Sequence, residues 1–303
     1  MHRFWDTIIE PLITAAAPQI IIEVGSASGK NTRNLLQYCA RSGADLHAVD
    51  PKPGFDPEEL SRNAGHALHI HRNLSLSVLP ELEAADVVLL DGDHNWYTVH
   101  EELLTLQRVA KAAGKPFPLT ILHDVDWPFG RRDMYYDVAT VPAEHRRPTA
   151  KGGLWPGHSE HVPGGVRSEF ETATIEGGPK NGIRTAIEDF LAGAGTGLDF
   201  ADVAGYHGLG LIVDPGTLAS NERLRQIWVD LSSSLLAAHA RRVEEGRIAE
   251  WAKRHRARAK INDLRHQIDD YRRALRTLRS RPWRLYTPVR ARALLRRATA
   301  LRK

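Results

Sequence analysis

The fold is decided by Ile20-Ile21-Ile22-Glu23-Val24-Gly25-Ser26-Ala27-Ser28-Gly29-Lys30, near the start of this chain of 303 residues. A short, continuous apolar run ends in an acid and is followed by a glycine-containing turn, which is typical of a buried strand and its exit. Residues 31–40 then place Leu35, Leu36 and Cys39 on one face of a helix. The order strand, tight turn and helix predicts a ligand site where the turn meets the helix N-terminus.

The rest of the first two thirds repeats this alternation. Helical patterns at 4–16, 56–64, 73–82, 95–112 and 181–191 separate or flank apolar strand-like segments. The further strands are expected at 46–50, 67–71, 85–90, 119–122, 198–204 and 209–213. This spacing predicts an α/β fold with a doubly wound, mostly parallel sheet of seven strands. Asp93 is the expected N-cap of the helix at 95–112.

Residues 127–180 interrupt the alternation because they are rich in glycine and proline. Two tryptophans and the pair Tyr135 and Tyr136 argue against disorder, since disordered segments are poor in aromatic residues. We expect a lid or substrate insertion within a first domain of residues 1–218. Residues 219–303 are expected to form a second, helical region.

Charge is distributed unevenly along the chain. Residues 241–303 contain 21 Lys and Arg but 6 Asp and Glu, a net charge of +15, which leaves −11 for residues 1–240. The single cysteine, Cys39, excludes an internal disulfide and suits a reducing compartment. The sequence shows neither a signal peptide nor an apolar run long enough to span a membrane, so we expect a cytoplasmic protein.

Acidic residues end four of the predicted strands: Glu23, Asp50, Asp91 and Asp124. In a parallel sheet these ends share one edge, which is the ligand edge. The turn from Gly25 to Lys30 matches neither the phosphate-binding P-loop nor the dinucleotide fingerprint. It does fit the E-x-G-x-x-x-G turn of S-adenosylmethionine (SAM) methyltransferases, and Asp50 is then placed to accept the ribose hydroxyls.

At this point residues 18–213 resemble the class I SAM-dependent methyltransferases related to macrolide-sugar O-methyltransferases and cephalosporin-hydroxylase-like proteins. The most specific stretch is Val88-Leu89-Leu90-Asp91-Gly92-Asp93-His94-Asn95-Trp96-Tyr97-Thr98-Val99, which is similar to their D-G-x-H-x-Y-x-x-V block. The resemblance implies SAM, a divalent metal and methylation of a hydroxyl. The expected cofactor-binding residues are Glu23, Gly25, Ser26, Ser28, Gly29, Asp50, Asn73, Ser75, Asp91 and Gly92.

The chemistry is expected at the ends of the fourth and fifth strands. His94 is the predicted general base, and Asp91 is its catalytic partner. Asp91, His123 and Asp124 are the predicted ligands of Mg²⁺ or Mn²⁺, with Asp126 as a further candidate. The family usually has two adjacent acids where this chain has His123-Asp124, so a structural histidine is the alternative for His123.

The basic C-terminal region contains two patterns. Ile261, Leu264, Ile268, Tyr271, Leu275 and Leu278 alternate at spacings of three and four, which is a short coiled-coil seam for a second copy or a partner helix. Residues 280–290 resemble an S-x-x-W-R-x-T-x-P-x-R element of bacterial glycan enzymes, and 289–301 reads as a cationic amphipathic helix. An anionic inner-membrane surface or a partner fits better than nucleic acid, for which no recognition module appears, or than a solvated helix.

The sequence therefore predicts a SAM-dependent, metal-assisted O-methyltransferase. The expected acceptor is a sugar hydroxyl of a cell-surface glycan or a glycosylated natural product. Two alternatives stay open. One is a non-catalytic scaffold with the SAM fold that docks glycan-assembly enzymes through its tail, and the other is a hydroxylase-like oxidoreductase on the same framework.

Overall fold

The computed structural model describes residues 1–193 and 197–280. Its strands are β1 (Ile20–Val24), β2 (Asp45–Val49), β3 (His69–His71), β4 (Val87–Leu90), β5 (Leu119–His123), β6 (Met134–Tyr135), β7 (Thr149–Lys151), β8 (Glu171–Ala173), β9 (Asp199–Val203) and β10 (Leu209–Val213). Its α-helices are α1 (Glu10–Ala16), α2 (Lys30–Ser42), α3 (Pro57–Ala64), α4 (Ser75–Val78), α5 (Trp96–Ala112), α6 (Ile183–Gly193), α7 (Pro215–Ser220), α8 (Glu222–Leu231) and α9 (Ser234–Ser280).

Seven strands form the main sheet in the order β3-β2-β1-β4-β5-β10-β9. The first five pair in parallel, and β10 runs antiparallel to both β5 and β9. The predicted seven-stranded, mostly parallel fold is therefore confirmed. Because β1 and β4 are neighbours whose crossovers go in opposite directions, the crevice between their carboxyl ends is the topological switch point, where ligands bind in such sheets.

The core lies on both faces of this sheet. Ile21, Leu46 and Leu89 face one apolar layer, which includes α1, α2 and α8. Ile22, Val88 and Leu122 face the other, which includes α5 and α6. Burial on both faces explains why the central strands read as continuous apolar runs rather than as alternating patterns.

Most predicted elements are present, with three local differences. The helix expected at 4–16 consists of a 3₁₀ turn at His2–Phe4, a π-helical turn at Trp5–Ile9 and α1. The helical region expected from residue 219 onward is interrupted between α8 and α9. The N-cap of α5 is Asn95, whose Oδ1 accepts from Thr98 N at 2.8 Å, so the prediction of Asp93 as the cap was wrong.

The 127–180 insertion contains an ordered three-stranded sheet, in the order β6-β8-β7. Asp133 ties it to the main fold, because Asp133 Oδ1 accepts from Trp96 N and from Gly182 N, both at 2.7 Å. Met134 N also donates to the carbonyl of His94 at 3.0 Å. The insertion is thereby fixed directly beside the loop that precedes α5.

The chain divides into compact units of residues 1–252 and 253–303. The first extends beyond residue 218, the expected domain boundary, because Leu224, Trp228, Ile248 and Ala252 are buried within it. The tail patterns at 280–290 and 289–301 lie outside the described residues, apart from the helical backbone of Ser280. None of the helices in the described part of the chain combines the length and the hydropathy needed to cross a bilayer.

Candidate active site

The turn after β1 is packed tightly against the end of β4. Gly25 has a φ of +83°, and a Cβ at this position would overlap the backbone of Asp91 and Gly92. Gly29 has a φ of +72°, and its Cβ would lie 2.8 Å from the Phe55 ring. Both positions therefore require glycine, which brings the turn and the start of α2 close to the strand ends.

Asp50 organises this turn from the end of β2. Its Oδ2 accepts from Ser26 N at 3.0 Å, from Ser26 Oγ at 3.2 Å and from Ala27 N at 2.8 Å. Its Oδ1 accepts from Lys52 N at 2.8 Å. The carboxylate holds the loop in place and still lines the adjacent cavity.

Glu23 supports the turn from beneath. Its carboxyl is buried and accepts from Asn31 Nδ2 at 2.9 Å and from Thr32 Oγ1 at 2.5 Å, which anchors the first turn of α2. Burial raises the pKa of Glu23 to about 7, against the opposing effect of these two hydrogen bonds. Its predicted contact with the cofactor stays a prediction, while its role in bracing the helix is visible.

A cavity of about 540 Å³ opens at this edge. Of the predicted cofactor residues, those that line it are Gly25, Asp50, Ser75, Asp91 and Gly92. The others that the sequence suggested lie outside its lining, namely Glu23, Ser26, Ser28, Gly29 and Asn73. Asn73 instead accepts the backbone N–H of Leu74 through its own side chain, at 2.8 Å.

The insertion contributes cavity residues that the sequence reasoning missed. Tyr136, Asp137 and Thr140 line the cavity opposite the strand ends. The aromatic pair at 135–136 indicated an ordered insertion, but nothing in the sequence showed which of the two tyrosines faces the cavity. In the structure Tyr135 is buried and its hydroxyl donates to Asp133 at 2.7 Å, while Tyr136 is the exposed one.

Four ionisable side chains meet beside this cavity: Asp91, His94, His123 and Asp124. His94 Nε2 lies 2.8 Å from Asp124 Oδ2 and 3.7 Å from Asp91 Oδ1. His123 Nδ1 lies 3.1 Å from Asp91 Oδ1 and 3.5 Å from Asp124 Oδ1. The four side chains come from the ends of β4 and β5, so parallel pairing of these strands is what assembles them.

The cluster is strongly polarised. Burial by itself lowers the pKa of His94, but hydrogen bonds to Asp124 and Asp91 outweigh it and raise that pKa well above its ordinary value. Burial also lowers the pKa of His123, but the charges of Asp124 and Asp91 outweigh this effect and raise that pKa to about 9. The two imidazoles in turn hold the pKa of each carboxyl below its usual range, against the effect of burial. Both carboxylates are therefore charged at neutral pH.

The predicted metal ligands fit a divalent cation. One ligand atom each from Asp91, His123 and Asp124 lies within 4.8 Å of the others, and this is the one such group among residues 1–193 and 197–280. Ligands of an octahedral ion at about 2.1 Å are about 3 Å apart, close to the 3.1 Å between His123 Nδ1 and Asp91 Oδ1, and a bound cation would displace the proton that a pKa of about 9 keeps on His123. Asp124 Oδ1 is buried and lacks a hydrogen-bond partner among the described residues, so it has a lone pair to offer.

Two positively charged groups contact acids that the sequence suggested as metal ligands. The amino group of Met1 lies 3.0 Å from Asp91 Oδ2, on the carboxylate oxygen that does not face His123. Arg184 Nη2 donates to Asp126 Oδ1 at 2.9 Å. Asp126 is thus part of an ion pair with Arg184 and is not in the cluster, so its suggested role as a further metal ligand was wrong.

Comparison with known proteins identifies one matching family. A family model described as a methyltransferase domain matches residues 22–125, which span β1 to the end of β5. No curated protein matches the chain at a significant level.

Three solved structures illustrate the structural similarity. The methyltransferase PaMTH1 of Podospora anserina, with bound S-adenosylhomocysteine, is 17% identical over 68% of this chain and 76% of that chain, with a TM-score of 0.40. The O-methyltransferase of Bacillus cereus, with the same ligand, is 12% identical over 70% of this chain and 80% of that chain, with a TM-score of 0.40. The O-methyltransferase TomG of Streptomyces achromogenes, with SAM, is 14% identical over 67% of this chain and 75% of that chain, with a TM-score of 0.36. The fold assignment rests on the strand order of this chain. Residues 22–125 thus match a methyltransferase domain, and they lie in a sheet with the seven-stranded, mostly parallel order predicted for the class I SAM-dependent fold.

Proposed function

We propose that this chain transfers the methyl group of SAM to a hydroxyl group of a sugar, with the help of a divalent cation. The observation that carries the proposal is the position of the four-residue cluster. Asp91 both lines the cavity expected to hold SAM and belongs to the group of cation ligands. A methyl donor in this cavity and an acceptor oxygen on this cation would then lie side by side, which is the main requirement of a displacement at carbon.

In the reaction the acceptor oxygen forms a bond to the methyl carbon while the bond from that carbon to the SAM sulfur breaks. The electron pair of the broken bond stays on sulfur, and the acceptor proton must leave. A divalent cation, when bound by Asp91, His123 and Asp124, supplies a Lewis acid that makes the hydroxyl more acidic.

His94 is the proposed base for that proton. Against the effect of burial, Asp124 and Asp91 raise the pKa of His94 and so keep it cationic when both carboxylates are free, but a divalent cation bound to them would compensate their charge and lower that pKa. Neutral His94 would then carry its hydrogen on Nε2, the nitrogen that contacts Asp124, and offer its lone pair at Nδ1. Nδ1 is buried and has no hydrogen-bond partner in the described part of the chain. Asp124 holds the tautomer and orientation of His94 and stabilises the cation that forms when Nδ1 takes the proton.

Aromatic rings beside the base support a sugar as the acceptor. The ring centroids of Tyr136 and His94 are 6.1 Å apart, those of Tyr136 and Phe170 are 6.2 Å apart, and Tyr136 is 65% exposed. Such rings combine an apolar face with, in tyrosine, a polar tip, which matches the mixed apolar and hydroxyl surface of a sugar. We extend the proposal to a glycan or glycosylated natural product, with the cationic sequence at 289–301 holding the protein at the inner membrane.

The test is methyl transfer from labelled SAM to a panel of nucleotide sugars, lipid-linked glycans and simple catechols. The reactions are run with Mg²⁺, with Mn²⁺ and with a chelator, and calorimetry measures SAM binding separately. We expect SAM binding in every condition, and transfer to a sugar hydroxyl with metal. Absence of SAM binding would refute the methyltransferase and leave the scaffold alternative. Undiminished transfer in chelator would refute the cation, and transfer to catechols alone would refute the sugar.

A further inference from the structure

The second half of α9 carries an exposed apolar stripe. Ile261, Leu264, Ile268, Tyr271 and Leu275 occupy alternating a and d positions of a heptad pattern within one continuous helix. Each of these side chains is between 44 and 57% exposed. We call this stripe the α9 seam.

The positions that flank the α9 seam are basic. In the same heptad numbering Lys260 is at g, and Arg265 and Arg272 are at e, while the remaining flanking positions within 260–275 are Gln267 and Ala274. Arg272 contacts Asp269 on its own helix at 3.4 Å, but both side chains are at least 60% exposed, and such pairs neutralise little charge. In a coiled coil the e and g side chains decide which helix is accepted as partner.

A second copy of this chain is a poor partner for the seam. Parallel pairing places Lys260 of one copy opposite Arg265 of the other, and antiparallel pairing places Arg265 and Arg272 at e positions opposite each other. Both arrangements bring like charges together across a narrow apolar interface, which disfavours self-association.

A membrane surface is also a poor partner. Helices that lie in a bilayer interface have a wide apolar face, whereas the α9 seam is confined to two positions in seven. Three acids, Asp263, Asp269 and Asp270, lie in the same stretch and oppose attraction to anionic lipid.

We infer that residues 260–275 bind an amphipathic helix of another protein, whose a and d positions are apolar and whose e and g positions are glutamate or aspartate. Charge complementarity selects this partner, and the seam supplies the buried contact. This surface is independent of the methyl-transfer site and of the proposed reaction.

The test measures binding of the full chain to three labelled peptides by fluorescence anisotropy. One is a designed three-heptad helix with Ile at a, Leu at d and Glu at e and g. The second has Lys at e and g, and the third is a scrambled form of the first, which retains its charge without the seam. We expect the acidic heptad peptide to bind at least about tenfold more tightly than either of the others, because the lysine peptide meets like charge at the flanking positions and the scrambled peptide has no continuous apolar face.

Matched variants separate the seam from general charge attraction. Arg265→Glu with Arg272→Glu should shift the preference to the lysine peptide. Arg273→Glu with Arg276→Glu makes the same change of charge at f and b positions and should preserve the preference for the acidic peptide. Ile268→Asp should abolish binding of both heptad peptides, with circular dichroism verifying that the helix is retained.

Three results would overturn the inference. The first is equal binding of the acidic heptad peptide and its scrambled form. The second is a dimer of the full chain in sedimentation equilibrium that Ile268→Asp dissociates, which would make a second copy the partner. The third is binding to phosphatidylglycerol vesicles that Ile268→Asp abolishes while peptide binding is absent, which would make the membrane the partner.

Discussion

Acidic and basic side chains meet in two very different regions of this chain, the cluster at the ends of β4 and β5 and the surface of α9. In the cluster, Asp124 and His94 lie 2.8 Å apart with side chains 13% and 5% exposed, and their pKa values are displaced in opposite directions. On α9, Asp270 and Arg273 lie 2.6 Å apart with side chains about 70% exposed. The distances are similar, so burial rather than proximity decides which pair can do chemistry.

The largest effect is expected from His94→Gln. Loss of a general base lowers the rate of methyl transfer about 10²–10⁴-fold, while SAM affinity changes little because His94 does not line the cavity. Single-turnover rates with labelled SAM measure the first quantity and calorimetry the second. His239→Gln, on the exposed surface of α9, is the control and should transfer at the wild-type rate. A His94→Gln enzyme of normal rate would remove His94 from the mechanism.

Gly25→Ala tests the tight packing of the turn against β4. Its left-handed φ costs about 1–2 kcal/mol for a residue with a Cβ, and displacement of the Asp91 backbone adds about 1–3 kcal/mol. We expect a free energy of unfolding lower by the sum of these terms, together with weaker SAM binding. Gly43→Ala is the matched control, since Gly43 has a φ of +79° but open space around its Cβ. Equal losses in urea titrations of the two variants would contradict the packing argument.

Glu23→Gln tests the buried carboxyl outside the cluster. The folded state raises the pKa of Glu23 from 4.5 to about 7. The folded protein therefore binds more protons than the unfolded chain between these values, and the free energy of unfolding falls as pH rises through this range.

The size of the Glu23 effect follows from that displacement. The charged Glu23 carboxylate lowers the free energy of unfolding by about 3 kcal/mol at pH 8. The glutamine variant should regain this stability, because its amide is uncharged and can still form hydrogen bonds with Asn31 and Thr32. Urea titrations at several pH values measure the difference between the two proteins. Glu58→Gln, an exposed position on α3, should follow the wild-type pH profile. A Glu23→Gln protein with that same profile would show that the carboxyl titrates normally.

The smallest effect is expected on α9. Asp270→Asn removes the contact with Arg273, and we expect no measurable change in Tm at physiological salt, because exposed pairs in water contribute little. A clear fall in Tm would place that pair in a more buried environment than the structure describes.

Much of the framework was predictable from the sequence because strand burial leaves a direct pattern. The apolar runs at β1 and β4 located the central strands, and their terminal acids located the ligand edge. Boundaries shifted by one residue at β2 and by two at β3, which is a short strand at the edge of the sheet. The Asn95 cap was missed because Asp93 and Asn95 are both good capping residues, and which one caps depends on where the first helical hydrogen bond forms.

The insertion was the least predictable part. Its small sheet depends on hydrogen bonds between distant residues, such as Asp133 with Gly182, and on the contact of Met134 with His94. Glycine and proline predict irregular backbone, but they do not indicate which distant segments pair. The cavity positions of Tyr136, Asp137 and Thr140 therefore emerged only with the folded chain.

The sequence by itself determined the strand–turn–helix unit at residues 20–40, the parallel sheet and the acids at its carboxyl edge, since these follow from local apolar runs and glycine positions. Only the tertiary structure decided that Asp50 and Glu23 hold the turn and that His94 and His123 share two carboxylates. It also decided that Asp126 forms an ion pair with Arg184 and that the α9 seam is exposed. The reason is physical: apolar periodicity is a local property of the chain, whereas burial and the pairing of charges depend on which distant segments meet.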